Sequence, residues 1–135
     1  MNSKTVQKTV FDYKLGYYQQ AIALFEELEE MEGLAFCYLK IGNILSEQGN
    51  YNKALEAYKS GLKMAQQVGV EMISANCLLK MGLIFELRKQ PTQALNCFHT
   101  ALKYFQQNID IKGIAHCVRK IETCATKLKW CPKDD

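Results

Sequence analysis

The feature that most constrains the fold is an internal repeat, in which a set of residues recurs at positions forty apart in the chain. Self-similarity at such a period is typical of repeat architectures, in which each unit buries its apolar face against its neighbours. The positions that coincide are Ala35, Ala75 and Ala115; Cys37, Cys77 and Cys117; Lys40, Lys80 and Lys120; Gly42 and Gly82; Ala54 and Ala94; Tyr58 and Phe98; and Leu62 and Leu102.

An earlier and shorter copy is found at an offset of thirty-three positions. It aligns Gly16, Tyr18, Ala21 and Phe25 with Gly49, Tyr51, Ala54 and Tyr58. This copy predicts that the repeat begins near the N-terminus, with a turn close to Gly16.

The apolar period within each unit is helical. Tyr38, Ile41 and Leu45 lie on one stripe, a turn signal follows at residues 48–50, and a second stripe contains Tyr58. Each unit is therefore predicted to be a helix–turn–helix hairpin.

The chain is predicted to be all-α, an α-solenoid of three hairpins plus a C-terminal capping helix in one domain over residues 1–135. The hairpins cover approximately residues 2–32, 34–69 and 71–107, and the capping helix covers 110–129. Seven helices are expected, over residues 3–14, 17–31, 34–48, 51–69, 71–88, 91–107 and 110–129. The last helix is expected to pack through one apolar stripe and to leave a polar outer face, as a terminal repeat requires. That stripe contains Ile114, Val118, Ile121, Ala125 and Leu128.

Composition excludes several classes of protein. The chain has 135 residues, 48% of them hydrophobic and 23% charged, which argues against disorder. No apolar run is long enough to span a membrane, and no secretory signal is expected at the start. Residues 68–135 carry ten Lys or Arg and six Asp or Glu, too small an excess to indicate nucleic acid. A cytoplasmic domain is therefore expected.

The repeat resembles the tetratricopeptide repeat (TPR) family, here in a long form whose units are forty residues in length. The residues that carry the resemblance are a small Gly in the first helix, Gly-x-Tyr at the turn, and then Ala and an aromatic in the second helix. In the second unit they are Gly42, Gly49, Tyr51, Ala54 and Tyr58. The resemblance implies a non-catalytic adaptor or scaffold that binds other proteins.

The resemblance also implies a binding site, because the first helices of such repeats line a concave groove. Leucines that the hairpin stripes do not use are expected to form an apolar row in it, flanked by polar residues, and to bind a peptide or an amphipathic helix. The predicted groove residues are Phe36, Leu39, Asn43, Asn76, Leu79, Leu83, Glu86, Leu87, His116 and Arg119. Chaperone-binding relatives hold a carboxylate with lysines at two places occupied here by Leu39 and Val6, so a chaperone tail is not expected.

No residues suggest catalysis, a metal or a cofactor. Cys37, Cys77 and Cys117 are equivalent positions in successive repeats, too far apart to share one ion or a disulfide. His116 and Cys117 are adjacent on one helix and therefore point in different directions. Cys131, near the C-terminus, is the thiol expected to be exposed.

Two alternative roles fit the same fold. One is a small secretion chaperone, which would form a homodimer through its N-terminal helices. The other is a regulatory domain that senses a short free peptide. The first helix bears Val6, Val10, Phe11 and Tyr13 and is interpreted either as a frayed cap or as a face for a second copy or another partner.

Overall fold

A computed structural model describes residues 2–130, apart from the side chain of Trp130. Within these residues the chain is all-α and contains no strand, which confirms the predicted fold class. The six helices are α1 (Ser3–Glu27), α2 (Met31–Glu47), α3 (Tyr51–Val68), α4 (Glu71–Leu87), α5 (Pro91–Gln107) and α6 (Ile111–Trp130). Cys131, predicted to be exposed, lies outside the described residues. The helices form two compact units, α1–α3 and α4–α6, divided between Val70 and Glu71.

Every turn between helices contains one residue in the left-handed conformation. These residues are Glu29, Gly49, Gly69, Lys89 and Ile109, with φ between 53° and 79°, so they recur at every twentieth position. The residue that follows each of them donates its amide to a carbonyl in the last turn of the preceding helix, for example Asn50 to Leu45 at 2.8 Å. This arrangement ends a helix without leaving its last carbonyls unpaired. The repeat therefore consists of two helical segments of equal length.

The prediction of two helices within residues 3–31 was wrong, because α1 is continuous. The twenty-residue spacing of the turns would place an earlier one at Thr9, but the chain is helical there. Instead, the Thr9 hydroxyl donates to the carbonyl of Thr5 at 2.9 Å, and Asn2 caps the helix start by accepting from the Thr5 amide at 2.8 Å. Gly16 does not break the helix, since an isolated glycine weakens a helix without ending it.

Each unit contains a hairpin closed by an aromatic ring on a glycine. In the first unit, a Cβ placed on Gly42 of α2 would lie 2.5 Å from the Tyr58 ring of α3. In the second unit, a Cβ on Gly82 of α4 would lie 2.6 Å from the Phe98 ring of α5. Only glycine permits so close an approach. The same contact at equivalent positions confirms the offset of the repeat.

The apolar stripe predicted for α6 is not the most buried face of this helix. The buried residues are Gly113, Cys117 and Cys124, and the ring of Phe105 on α5 lies against Gly113. The predicted stripe is half-buried at best, and its Val118 is 48% exposed. The reason is that small residues permit the close packing of α5 on α6, so the spacing of the large aliphatic residues does not mark the buried face.

Candidate functional site

The ten residues predicted to line the groove lie on α2, α4 and α6, the helices that begin successive repeats. Three lie on α2 in the first unit and seven on α4 and α6 in the second. The two units are described separately.

In the first unit, α2 presents one exposed aromatic and one polar side chain. Phe36 is 44% exposed, and the Nζ atom of Lys40 lies 5.3 Å from its ring centroid, within cation–π range. Asn43 is half-buried, and its Oδ1 atom accepts a 2.7 Å hydrogen bond from the hydroxyl of Tyr58. The Asn43 oxygen is therefore engaged in holding the hairpin.

In the second unit, α4 presents two leucines at its C-terminal end. Leu83 is half-buried, and Leu87 is 63% exposed. Asn76 lies nearer the start of α4, where its Nδ2 atom donates to the carbonyl of Met72 at 2.8 Å. Leu87 is thus the exposed large apolar residue of this helix, and Leu83, one turn before it, is partly accessible.

The expectation that four leucines stay outside the core was wrong for two of them. Leu39 is 7% exposed and Leu79 is 6% exposed, so both are part of the core. α2 packs against α1 as well as α3, and α4 buries eight of its 17 residues. Helices buried over most of their circumference leave little apolar surface for a ligand.

On α6, His116 and Arg119 lie beside an ion pair that joins this helix to α4. The Nζ atom of Lys120 is 2.7 Å from Oε1 of Glu86, with side chains 29% and 16% exposed. The thiol of Cys124 approaches the other carboxylate oxygen of Glu86 at 3.8 Å. Glu86 therefore anchors α6 as well as belonging to the predicted rim.

The electrostatic environment of His116 is cationic. Burial, followed by the charges of Arg119, Lys120 and Lys80, lowers the pKa of His116, and only Glu86 opposes them. A negatively charged group near His116 would be stabilised by the same cations. Sequence analysis missed the role of Lys80 and Lys120, although their recurrence at equivalent positions of the repeat marked them.

The buried thiols have the chemistry of core residues. Burial raises the pKa of Cys77 to about 12 and those of Cys97 and Cys117 to about 11. A thiol must ionise to act as a nucleophile or a metal ligand, and these pKa values disfavour that at neutral pH. Within residues 2–130, no three His, Cys, Asp or Glu side chains are grouped so as to hold a metal ion.

No helix in the described part of the chain combines the length and the apolar character that a membrane span requires.

Two family models match the chain, and both are described as tetratricopeptide repeat. One covers residues 15–67 and the other covers residues 76–108. Together they include α2 and α5 completely, most of α3 and α4, and about half of α1. No curated protein sequence matches the chain.

Proposed function

Because the chain belongs to the tetratricopeptide repeat family, whose members generally act in protein–protein interaction rather than catalysis, we propose that it is a non-catalytic adaptor. It binds a peptide or an amphipathic helix of a partner protein on the helices that begin its repeats. The observation that carries this proposal is the combination, in the second unit, of exposed Leu87 with the cationic surroundings of His116.

The second unit favours a ligand with two kinds of side chain. An apolar side chain of the ligand would bury Leu87 and the accessible part of Leu83, which releases water from apolar surface. A carboxylate of the ligand would be attracted to Arg119 and Lys80, the cations that lower the pKa of His116. We therefore propose an acidic peptide with spaced apolar residues as the ligand class.

Phe36 and Asn43 form a second, smaller recognition face on α2 of the first unit. Phe36 is exposed and is flanked by Lys40, so it offers an aromatic surface beside a positive charge. Aromatic residues of this kind are enriched at protein interfaces. Leu39 and Leu79 are assigned to the core and not to the ligand.

A random peptide library displayed on phage tests the proposal. Selection on the wild-type chain is expected to enrich peptides that combine apolar and acidic residues, and a synthetic peptide from the selection gives the dissociation constant. Leu87→Asp is expected to raise the dissociation constant of that peptide about tenfold or more, since a carboxylate replaces an apolar contact. Arg119→Glu is expected to raise that dissociation constant similarly, and a selection on this variant is expected to yield peptides with fewer acidic residues.

Two matched variants serve as controls. Val68→Asp changes a 44% exposed valine on α3, and Lys103→Glu reverses an exposed charge on α5. Both should leave the affinity unchanged, and circular dichroism should show all four variants folded. Equal affinity of the wild type, Leu87→Asp and Arg119→Glu would exclude this face, and a selection without enriched peptides would contradict peptide binding altogether.

We also propose that the chain forms a homodimer through its N-terminal helix. α1 has 25 residues and none of them is buried, whereas it exposes Val6, Val10, Tyr13, Tyr17 and Leu24 by 44–67%. Exposed apolar stretches of this extent are typical of interaction surfaces. Light scattering coupled to size-exclusion chromatography gives the mass that decides between monomer and dimer.

A cytoplasmic location is proposed from the thiols. The five cysteines among the described residues are all unpaired, as expected for a protein in a reducing compartment. A fluorescently tagged chain should distribute with a cytoplasmic marker, and secretion into the medium would contradict this.

A further inference from the structure

The exposed apolar residues of α1 follow the spacing of a helix-pairing seam. Val6, Val10, Tyr13, Tyr17 and Leu24, together with Gln20, are separated alternately by four and three positions. We call these six residues the outer stripe. Their average spacing, midway between three and four, is the period at which two helices pack along their length. The opposite side of α1 faces α2. There, Lys14 and Tyr18 lie next to residues of α2, and the ring of Phe25 lies against Gly33.

Gly16 lies at the middle of α1 and has no packing role within its own chain. A Cβ placed on Gly16 would meet nothing within 4 Å. Four other helical glycines, Gly33, Gly42, Gly82 and Gly113, each have an aromatic ring directly against them. Glycine inside a helix is less favourable than alanine, and at those four positions the aromatic ring explains why glycine is present.

A shallow hollow lies above Gly16, open to the outside. It has a volume of about 490 Å³ and is lined by residues between Thr9 and Gln20, including Tyr13 and Tyr17. Gly16 and the two exposed tyrosines are among its lining residues. The hollow thus has the shape and lining to receive an aromatic side chain from outside this chain.

The charges of α1 favour a second α1 in the opposite direction. Residues 3–14 contain three lysines and one aspartate, and residues 15–27 contain two glutamates and no basic residue. The lysines lie away from the outer stripe, so the preference comes from the net charge of each half of the helix and not from ion pairs in the seam. Antiparallel pairing places the basic half of each helix along the acidic half of the other. Parallel pairing places like charges together, which is unfavourable.

From these observations, and resting on the proposed homodimer, we infer that two α1 helices pair antiparallel through their outer stripes. The two-fold axis that relates them lies at the level of Leu15 along the helix. The tyrosines of each copy then occupy the hollow above Gly16 of the other. In this register Val6 faces Leu24 and Tyr13 faces Tyr17 of the second copy. The interface is self-complementary, as two-fold symmetry requires.

Disulfide cross-linking tests the register. Val6→Cys and Leu24→Cys are made in separate copies that also carry Cys131→Ala, mixed, and oxidised mildly. The expected main product is the mixed cross-linked dimer, because a disulfide needs Cα atoms within about 7 Å. A dominant Val6→Cys product with itself would overturn the antiparallel register while leaving the homodimer intact. A chain that is monomeric by light scattering at every concentration would overturn the homodimer as well.

Gly16→Ala tests the packing of the tyrosines, because the monomer and the dimer respond in opposite directions. In the monomer the added methyl group meets open space and favours the helix, so the melting temperature at low concentration is expected to rise by a few degrees. In the dimer the methyl group displaces a tyrosine ring, so the dissociation constant is expected to increase about tenfold or more. Gln19→Ala, at an exposed position of α1 outside the stripe, is the matched control and should leave the dissociation constant unchanged. A Gly16→Ala dimer as tight as the wild type would show that no ring lies above this glycine.

Discussion

The hydroxyl of Tyr58 donates a 2.7 Å hydrogen bond to Oδ1 of Asn43, across the hairpin formed by α2 and α3. The equivalent positions in the hairpin of α4 and α5 are Phe98 and Leu83. The two rings lie against equivalent glycines in the same way, so the hairpins differ here only in the hydroxyl and its acceptor. In each hairpin the two residues thus suit each other: Tyr58 and Asn43 are both polar, and Phe98 and Leu83 are both apolar.

Exchanging one member of either pair is expected to destabilise the chain. Tyr58→Phe removes the donor to Asn43 and should lower the free energy of unfolding by about 1 kcal/mol. Phe98→Tyr places a hydroxyl opposite Leu83 in a position where Phe98 is completely buried, with an expected loss of about 1–3 kcal/mol. Urea denaturation followed by circular dichroism measures both.

The double variant Phe98→Tyr with Leu83→Asn is the decisive comparison. It recreates the Tyr58–Asn43 pair in the second hairpin and should recover part of the stability that Phe98→Tyr loses. Strictly additive losses in the two single variants and the double variant would contradict the match between these positions.

Ile109 is expected to be replaceable by glycine with a gain in stability. Its φ is 53°, a conformation that a β-branched residue adopts with strain, and its side chain is 78% exposed. Gly49 and Gly69 occupy the same place in earlier turns. Ile109→Gly should raise the free energy of unfolding by about 1 kcal/mol as the strain is removed.

The reciprocal change provides the control. Gly69→Ile introduces the same strain at a turn that now has glycine, so it should lower the melting temperature. Equal stabilities of the wild type and Ile109→Gly would show that the turn does not strain this residue.

The repeated part of the fold followed directly from the sequence, because equivalent residues have equivalent neighbours. Gly42 and Tyr58 predict the contact of Gly82 with Phe98, and a helical period predicts which side of each helix is buried. The N-terminal helix was not predictable in this way. The Gly16-x-Tyr18 pattern suggested a turn, whereas the turn spacing in the structure is set by residues 29–109 and would fall on Thr9.

The burial of the predicted groove residues was harder to predict from the sequence than the fold. Periodicity identifies a face that packs but not how much of the remaining circumference a second neighbour covers. Leu39 and Leu79 were therefore assigned to the surface although both are buried. The ion pair of Glu86 with Lys120 joins residues 34 positions apart, a proximity that only the folded arrangement of α4 and α6 reveals.

Removing the positive charge of Lys120 is expected to have two effects. Lys120→Met leaves the mostly buried carboxylate of Glu86 without its partner at 2.7 Å, and stability should fall by about 1 kcal/mol. It also removes one of the cations that lower the pKa of His116, so that pKa should rise. Proton NMR of the imidazole measures the second effect independently of stability.

Lys127→Met, at an exposed position on the same helix, is the matched control for both measurements. It should leave stability nearly unchanged and should change the pKa of His116 less than Lys120→Met does. If the pKa of His116 were the same in Lys120→Met and in the wild type, Lys120 would not act on the imidazole.

The buried thiols predict how stability depends on alkaline pH. Burial raises the pKa of Cys77 from its ordinary value of 9.0 to about 12, so the neutral thiol is favoured in the folded chain. The unfolded chain releases the proton near pH 9, and the folded chain releases it only near pH 12. The stability that this group contributes is therefore fully present below pH 9 and is lost as pH rises through about 12.

Comparison of the wild type with Cys77→Ala isolates this contribution, because lysines and tyrosines titrate in both proteins. Under reducing conditions, the difference in unfolding free energy should be constant from pH 7 to pH 8.5. Above pH 9 the wild type should lose stability relative to the variant, by at most about 1.4 kcal/mol per pH unit. A difference that stays constant up to pH 11 would show that Cys77 ionises with equal ease in the folded and the unfolded chain, which its complete burial in α4 argues against.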